Sequence, residues 1–279
     1  MERIAYYPGC TLETTAKEFD ITSRAVCYHL GIELIEIPDW NCCGASSAHE
    51  TNNYLAIALP ARNLLKAEEL GLNVVIPCAA CFNRLKMAEK ALKNNYLEFS
   101  YQGKIEIFDL LRFLAQSKYL KYLKQKVIKP LKGLKAVAYY GCLISRPPKI
   151  TDHPQPENPM EMEKILEAIG VDCLEWSYKT DCCGASLVLG RIDIIYQLVK
   201  KLYEKALEVG ASCIVTACPL CHANLDLRQR EINEKFHENY YLPIFYFTEL
   251  MALALGLKGK EIWFRGHLVD PMPLLTKYL

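Results

Sequence analysis

The sequence has almost no charge imbalance, with 33 Lys and Arg against 32 Asp and Glu and a formal net charge of +1. A footprint for nucleic acid or an anionic membrane usually shows as a strong basic excess, so neither partner is expected from the charge total. Export and transit signals are missing: MERIAYYPGC enters a strand-like run directly, with no basic-then-apolar or Arg-rich leader. A cytoplasmic, reducing location is therefore expected. No run is long enough to cross a bilayer. The most apolar late stretch, residues 242–257, is short for a span and contains Thr248 and Glu249, so it reads as a buried strand followed by a helix. There is no G-x-G-x-x-G after a strand and no G-x4-G-K-[ST], which excludes the common nucleotide sites. The ferredoxin run C-x2-C-x2-C-x3-C-P is also absent, so a conventional cubane cluster is not the electron entry, and a partner must supply or accept electrons.

Cysteine is what the chain has in excess: thirteen in 279 residues. A reducing compartment disfavours disulfides, and an odd count fits a disulfide framework poorly. With half its residues apolar, the chain can build a core without such staples. Ten of the cysteines form two matching sets. Cys10, Cys42, Cys43, Cys78 and Cys81 are spaced C-x31-CC-x34-C-x2-C, and Cys142, Cys182, Cys183, Cys218 and Cys221 are spaced C-x39-CC-x34-C-x2-C. The flanks repeat as well. AYYPGC (5–10) recurs as AYYGC (138–142), NCCGAS (41–46) as DCCGAS (181–186), VIPCAACFNRL (75–85) as VTACPLCHANL (215–225), and IFDLL (107–111) resembles YFTEL (246–250). This is an internal duplication.

The longer first gap of the second copy holds RPPKITDHPQPENP (146–159), which is expected to be a surface loop. A lysine-rich stretch at 126–135, with Pro130 and Gly133, marks the expected boundary between halves 1–130 and 131–279. Within each half, strand and helix patterns alternate. Residues 4–7 and 137–140 read as short strands ending at a Gly-Cys turn. Val199, Leu202, Tyr203, Ala206 and Val209 recur at helical spacing, and that helix stops at Gly210 before a strand at 213–216. The first half does the same over 61–71 and 74–76, with Pro60 expected in the first helical turn. Strand–helix–strand units imply parallel pairing. The expected fold is α/β: two homologous Rossmann-like halves, each with a small, mainly parallel sheet and its cysteines just past strand ends.

A C-x-x-C pair alone would suit a thioredoxin-like redox site, but that reading explains neither the adjacent cysteines nor the remote fifth. Zinc takes four tetrahedral ligands, one fewer than each set offers. Iron–sulfur clusters accept thiolates at variable spacing and on more than one iron, and five thiols converging twice favour them. Gly44 and Gly184, directly after each Cys-Cys, would let backbone pass close to an inorganic core. The small residues that follow (Ala45, Ser46, Ala185 and Ser186) could donate backbone N–H groups to its sulfurs. Cys27, Cys173 and Cys213 stand outside the pattern and read as small buried hydrophobes. His222 and His49 could hold a proton near a site, yet each occurs in one copy only, which favours a structural role. His29, His153, His237 and His267 read as structural or exposed.

The doubled C-x(31–39)-CCG-x(33)-C-x-x-C pattern resembles the cysteine-rich CCG domain. Two complete copies without a ferredoxin domain resemble the B-type subunit of heterodisulfide reductase over nearly the whole chain, including HLVDPMPLL at 267–275. The resemblance implies two non-cubane [4Fe-4S] clusters, one held by Cys10, Cys42, Cys43, Cys78 and Cys81 and the other by Cys142, Cys182, Cys183, Cys218 and Cys221. It also implies cleavage, or reversible formation, of a small disulfide between the clusters. Each cluster would supply one electron and capture one thiolate, which leaves after protonation. The implied partners are a ferredoxin-like iron–sulfur subunit (C-type) and often a flavin-containing one (A-type). Leu143 follows Cys142 where some methanogen members carry histidine, which argues against the methanogenic heterodisulfide as substrate. Other users of the same domain define the alternatives: an electron-transfer or anchor subunit of a succinate or fumarate dehydrogenase, and a component of a lactate- or glycolate-oxidising complex. A zinc-stabilised scaffold is the fourth.

Overall fold

The inner strands are short runs buried on both faces, as parallel sheets covered by helices require, while the edge strands 32–36 and 172–173 are partly exposed. In the computed structural model, which describes residues 1–45 and 48–279, β1 (Glu2–Tyr6), β2 (Ile32–Glu36), β3 (Val74–Ile76) and β4 (Ile107–Asp109) form one sheet. The strands β5 (Lys135–Tyr139), β6 (Asp172–Cys173), β7 (Cys213–Thr216) and β8 (Ile244–Tyr246) form the other. The strand orders are β2-β1-β3-β4 and β6-β5-β7-β8, and every pairing is parallel. The duplication read from the cysteines is thus a duplication of topology, as expected.

Ladder register corrects two of the sequence matches. Tyr6 pairs with Val75 and Ala138 pairs with Val215, and each valine lies three residues before its C-x-x-C. Tyr7 therefore corresponds to Tyr139, and Pro8 to Tyr140, with no gap between the two copies. Likewise Ile107 pairs with Val74 and Ile244 with Ile214. Residues 107–111 therefore match 244–248, two positions before the YFTEL suggested by similar letters. Strand pairing, which a one-residue slip would turn inside out, fixes these positions.

Pro60 lies inside the helix Asn53–Glu69, not in its first turn, because the Asn52 side chain accepts from Leu55 N and starts the helix earlier. The proline-rich run is not wholly an exposed loop. It contains the short helix Pro148–Thr151, and Ser145, Thr151 and His153 are buried. Asn83 explains the burial: its Nδ2 donates to the carbonyls of Leu143 (3.2 Å) and Arg146 (3.0 Å), tying this segment to the first half.

The halves pack by exchange. Helix Lys17–His29 of the first lies on helix Phe247–Ala254 of the second, while Leu110–Leu114 and Ser117–Lys126 of the first lie on Glu161–Ala168 of the second. Phe19 stacks on Tyr246 at 4.3 Å, and the hydroxyls of Thr22 and Thr248 meet at 2.7 Å. Each fully buried ring contributes about 2 kcal/mol.

Candidate metal centres

In a parallel sheet with this strand order, direction reverses between β1 and β3, and between β5 and β7, opening a crevice beyond the carboxyl ends. The ten paired cysteines line those two crevices. Cys10 follows β1, Cys42 and Cys43 follow β2, and Cys78 and Cys81 follow β3. In the second half Cys142 follows β5, Cys182 and Cys183 follow β6, and Cys218 and Cys221 follow β7.

In the first crevice Cys10 Sγ lies 3.8 Å from Cys42 Sγ, and Cys43 Sγ lies 3.4 Å from Cys81 Sγ. Cys42 also bonds Cys43, and Cys78 bonds Cys81, so all five sulfurs are linked. In the second, Cys142 bonds Cys182, and Cys183 Sγ lies 3.7 Å from Cys221 Sγ, which in turn bonds Cys218. Cys27, Cys173 and Cys213 stand apart, and burial pushes the Cys27 and Cys173 thiols up to about 12.

Protonation within each set is shared. The bond from Cys42, then that from Cys81, hold the Cys43 thiol down to about 3, while Cys42 is raised by the same contact with Cys43. The bond from Cys142 brings Cys182 down to about 6, and Cys142 is raised in turn. A string of thiols can ionise together only around a compensating cationic centre. A polynuclear iron–sulfur core fits this donor set, whereas one zinc ion leaves a sulfur over in each crevice.

Backbone and neighbouring side chains hold the sulfurs in place. Gly44 N and Gly184 N donate to Cys42 Sγ (3.5 Å) and Cys182 Sγ (3.3 Å). The reason for glycine there is packing of protein against protein: with φ of 76° and 78°, an added Cβ would meet Ala48 and Leu59, or Leu198 and Ile195. The glycines that face sulfur are Gly9 and Gly141, where a Cβ would lie 2.9 Å from Cys81 Sγ and 2.7 Å from Cys221 Sγ. Ser46 lies outside the described residues. Tyr7 and Tyr139 donate to the carbonyls of Asn41 (2.8 Å) and Asp181 (2.7 Å), fixing the residue before each Cys-Cys. Asn63 grips Asn41 from both sides, accepting from its N at 2.9 Å and donating to its O at 2.8 Å.

One difference between the crevices stands out. Arg84 and Asn224 occupy the same position, three residues after the last cysteine. The half-buried Arg84 guanidinium acts on Cys43, while Asn224 Nδ2 donates to Cys183 O at 2.6 Å. Arg84, Asn224, Gly9, Gly141 and the two tyrosines were missed as site residues in the sequence, although all lie inside the repeated motifs. The histidines fall where expected. His222 is buried and stacked on Tyr246 at 4.2 Å with Nε2 at 3.1 Å from Ile244 O, and His267 Nε2 lies 2.9 Å from Glu249. His49 pairs with Glu50.

The profile of the cysteine-rich (CCG) domain family matches residues 4–86 and 136–226. The chain is 33% identical to the 8-methylmenaquinol:fumarate reductase membrane anchor subunit of Wolinella succinogenes, covering 98% of this chain and 99% of that one. It is 25% identical to the B-type subunit of the ferredoxin/F420H2-dependent CoB-CoM heterodisulfide reductase of Methanosarcina acetivorans, covering 99% and 97%. A crystal structure of a hypothetical protein from Helicobacter pylori superposes with a TM-score of 0.74 at 14% identity, covering 96% of this chain; the chain spans about half (52%) of that one, and the likeness concerns the fold. With both matched segments centred on the two five-cysteine crevices, the chain belongs to the cysteine-rich CCG domain family and carries that domain twice.

Proposed function

We propose that the chain is the iron–sulfur redox subunit of a heterodisulfide reductase-like complex, reducing or reversibly forming a small disulfide. The observation that carries this reading is the completeness of both crevices, each with its five cysteines beyond the same three strands and matching backbone donors; the sulfurs are linked as one string of five in the first crevice and as a pair and a trio in the second. The ten cysteines would hold two non-cubane [4Fe-4S] clusters, whose chemistry would be to supply the two electrons that, with two protons, turn a disulfide into two thiols. The chain's own contribution is to hold the two centres side by side: Asn83, two residues past Cys81, binds the carbonyls of Leu143 and Arg146 around Cys142. Cys10, Cys42 and Cys182 are the exposed sulfurs and mark the sides open to substrate. A cleft of about 600 Å³ adjoins Cys10 and Cys42 and is bordered by Glu13 and Trp40. In this reading electrons pass through ferredoxin-like and flavin-containing partner subunits, the halves divide at 130/131, and the complex works in the cytoplasm. No helix among the described residues is long and apolar enough to cross a membrane.

The test is metal and sulfide analysis, with EPR, of anaerobically purified protein. Iron and sulfide for two clusters are expected, together with disulfide turnover from a viologen donor. Cys183→Ala should lose about half the iron and Cys27→Ala none. Zinc without sulfide, or equal losses in both variants, would refute the assignment.

A second reading, an electron-transfer or anchor subunit of a fumarate reductase-type complex, is supported by the higher identity to the Wolinella succinogenes protein. Copurification of a fumarate-reducing flavoprotein, with no disulfide turnover, would select it.

A further inference from the structure

The balanced charge total conceals a one-sided distribution. Between Asp109 and Asp152 the chain carries ten Lys and Arg and not one Asp or Glu. Seven of these are the exposed lysines 118, 121, 124, 126, 129, 132 and 135. The helix Ser117–Lys126 buries Tyr119 and Leu123 and turns Lys118, Lys121, Tyr122 and Gln125 outward. Among the described residues, Lys118 alone of these seven lysines pairs with a side-chain carboxylate, that of Glu2, while Lys126 and Lys129 bond the main-chain oxygens of His29 and Leu279. Like charges left uncompensated at this density repel one another, and they persist at little cost where an anionic surface can meet them.

Apolar groups stand among these lysines. Tyr28, Tyr122 and Ile128 are 71%, 48% and 69% exposed. Lys126 Nζ bonds His29 O next to Tyr28, and Ile128 N bonds Ala254 O, so helix 17–29, helix 117–126 and the following strap present one continuous face. That face lies at the amino ends of the strands: Lys118 pairs with Glu2 at the start of β1, His29 precedes β2, and Lys135 begins β5. The cysteines lie at the carboxyl ends, on the opposite side of both sheets.

We infer that this lysine–tyrosine–isoleucine face is a docking surface for an anionic phospholipid bilayer, holding the chain on the membrane with both cysteine crevices turned away. Lysines draw such a surface to anionic headgroups, and amphipathic aromatic and aliphatic side chains enter the headgroup layer. The alternation of cations with Tyr122 and Ile128 favours lipid over an acidic protein partner, which would leave Ile128 against carboxylates. The face would act in this way whatever the substrate and whichever complex the chain serves.

The test is cosedimentation of the purified full chain with vesicles of phosphatidylcholine alone and of three parts phosphatidylcholine to one part phosphatidylglycerol. Binding to the anionic vesicles only is expected, falling steeply between about 0.05 and 0.5 M salt. The triple variant Lys121→Glu, Lys124→Glu and Lys132→Glu should weaken it by about a hundredfold or more, with iron content unchanged as the check on folding. The triple Lys→Gln variant, gentler on the fold, should weaken it less. Tyr122→Ser with Ile128→Ser should lower binding while leaving its salt dependence. Equal binding to both vesicle types, binding unaffected by either lysine variant, or tighter binding of duplex DNA than of anionic vesicles would overturn the inference.

Discussion

A single Cβ decides what fits beside the sulfurs. Gly9 and Gly141 have φ of 72° and 64°, and a methyl group at either would collide with a cysteine of its own crevice. Gly141→Ala is expected to cost about 1–2 kcal/mol in backbone strain and to remove the iron of the second crevice while sparing the first. EPR of the anaerobic variant reads the two effects apart. Arg84 offers a subtler handle. A fixed positive charge near Cys43 favours the more negative, reduced state of whatever the first crevice holds. Arg84→Asn, which copies the second crevice, should lower the midpoint potential of the first by roughly tens of millivolts and leave the other unchanged in a redox titration. Both sites sit inside stretches that the duplication makes visible. Their importance was not legible there, because a repeat reveals what the copies share, while the spacing of atoms around a sulfur depends on backbone angles and on how closely Gly9 approaches Cys81, and Gly141 Cys221, more than seventy residues on.

At the level of elements, strand runs buried on both faces could be read directly, and β3 and β7 fall at the expected positions. Helix starts could not: Asn52 caps the helix eight residues before Pro60, and Pro60, which loses a backbone bond and crowds the preceding turn, is held inside the helix by its burial with Ile57, Ala61 and Leu64. The helix Phe247–Ala254 shows a different limit. Its Glu249 is fully buried in an apolar stretch, and the reason is His267, 2.9 Å away and eighteen residues on. Glu18, Asp226 and His222 also surround His267. Burial pushes the His267 pKa down, but the carboxylates, Glu249 first, outweigh it and bring it up to about 8, while burial raises that of Glu249. A raised pKa means the folded state holds its proton more tightly than the unfolded chain, where histidine titrates near 6.5. The His267 contribution, about 2 kcal/mol, is therefore complete below pH 6.5 and fades as pH rises through 8, and Glu249 acts in the same sense. Urea midpoints should fall between pH 6 and pH 9, and His267→Gln should flatten that dependence.

The molecule as a whole is interlocked rather than strung together. Each half lends its first long helix to the other's last, through Phe19 on Tyr246 and Thr22 on Thr248. Residues 1–130 expressed alone would expose Phe19, and residues 131–279 the Tyr246 and Phe247 rings that it packs against. Separate expression should give aggregation-prone fragments, and coexpression a soluble complex detectable by gel filtration. Sequence alone announced two halves but not this exchange, since the contacting residues are apolar or small and carry no motif. The bond from Asn83 to the segment around Cys142 also imposes a direction in time. The amino-terminal half leaves the ribosome first, with every sulfur of its crevice already in hand; the carboxyl-terminal crevice is complete only once that earlier half is there to receive its loop. The second crevice therefore cannot take its final shape alone, and a fault at Asn83 is passed on to the loop around Cys142.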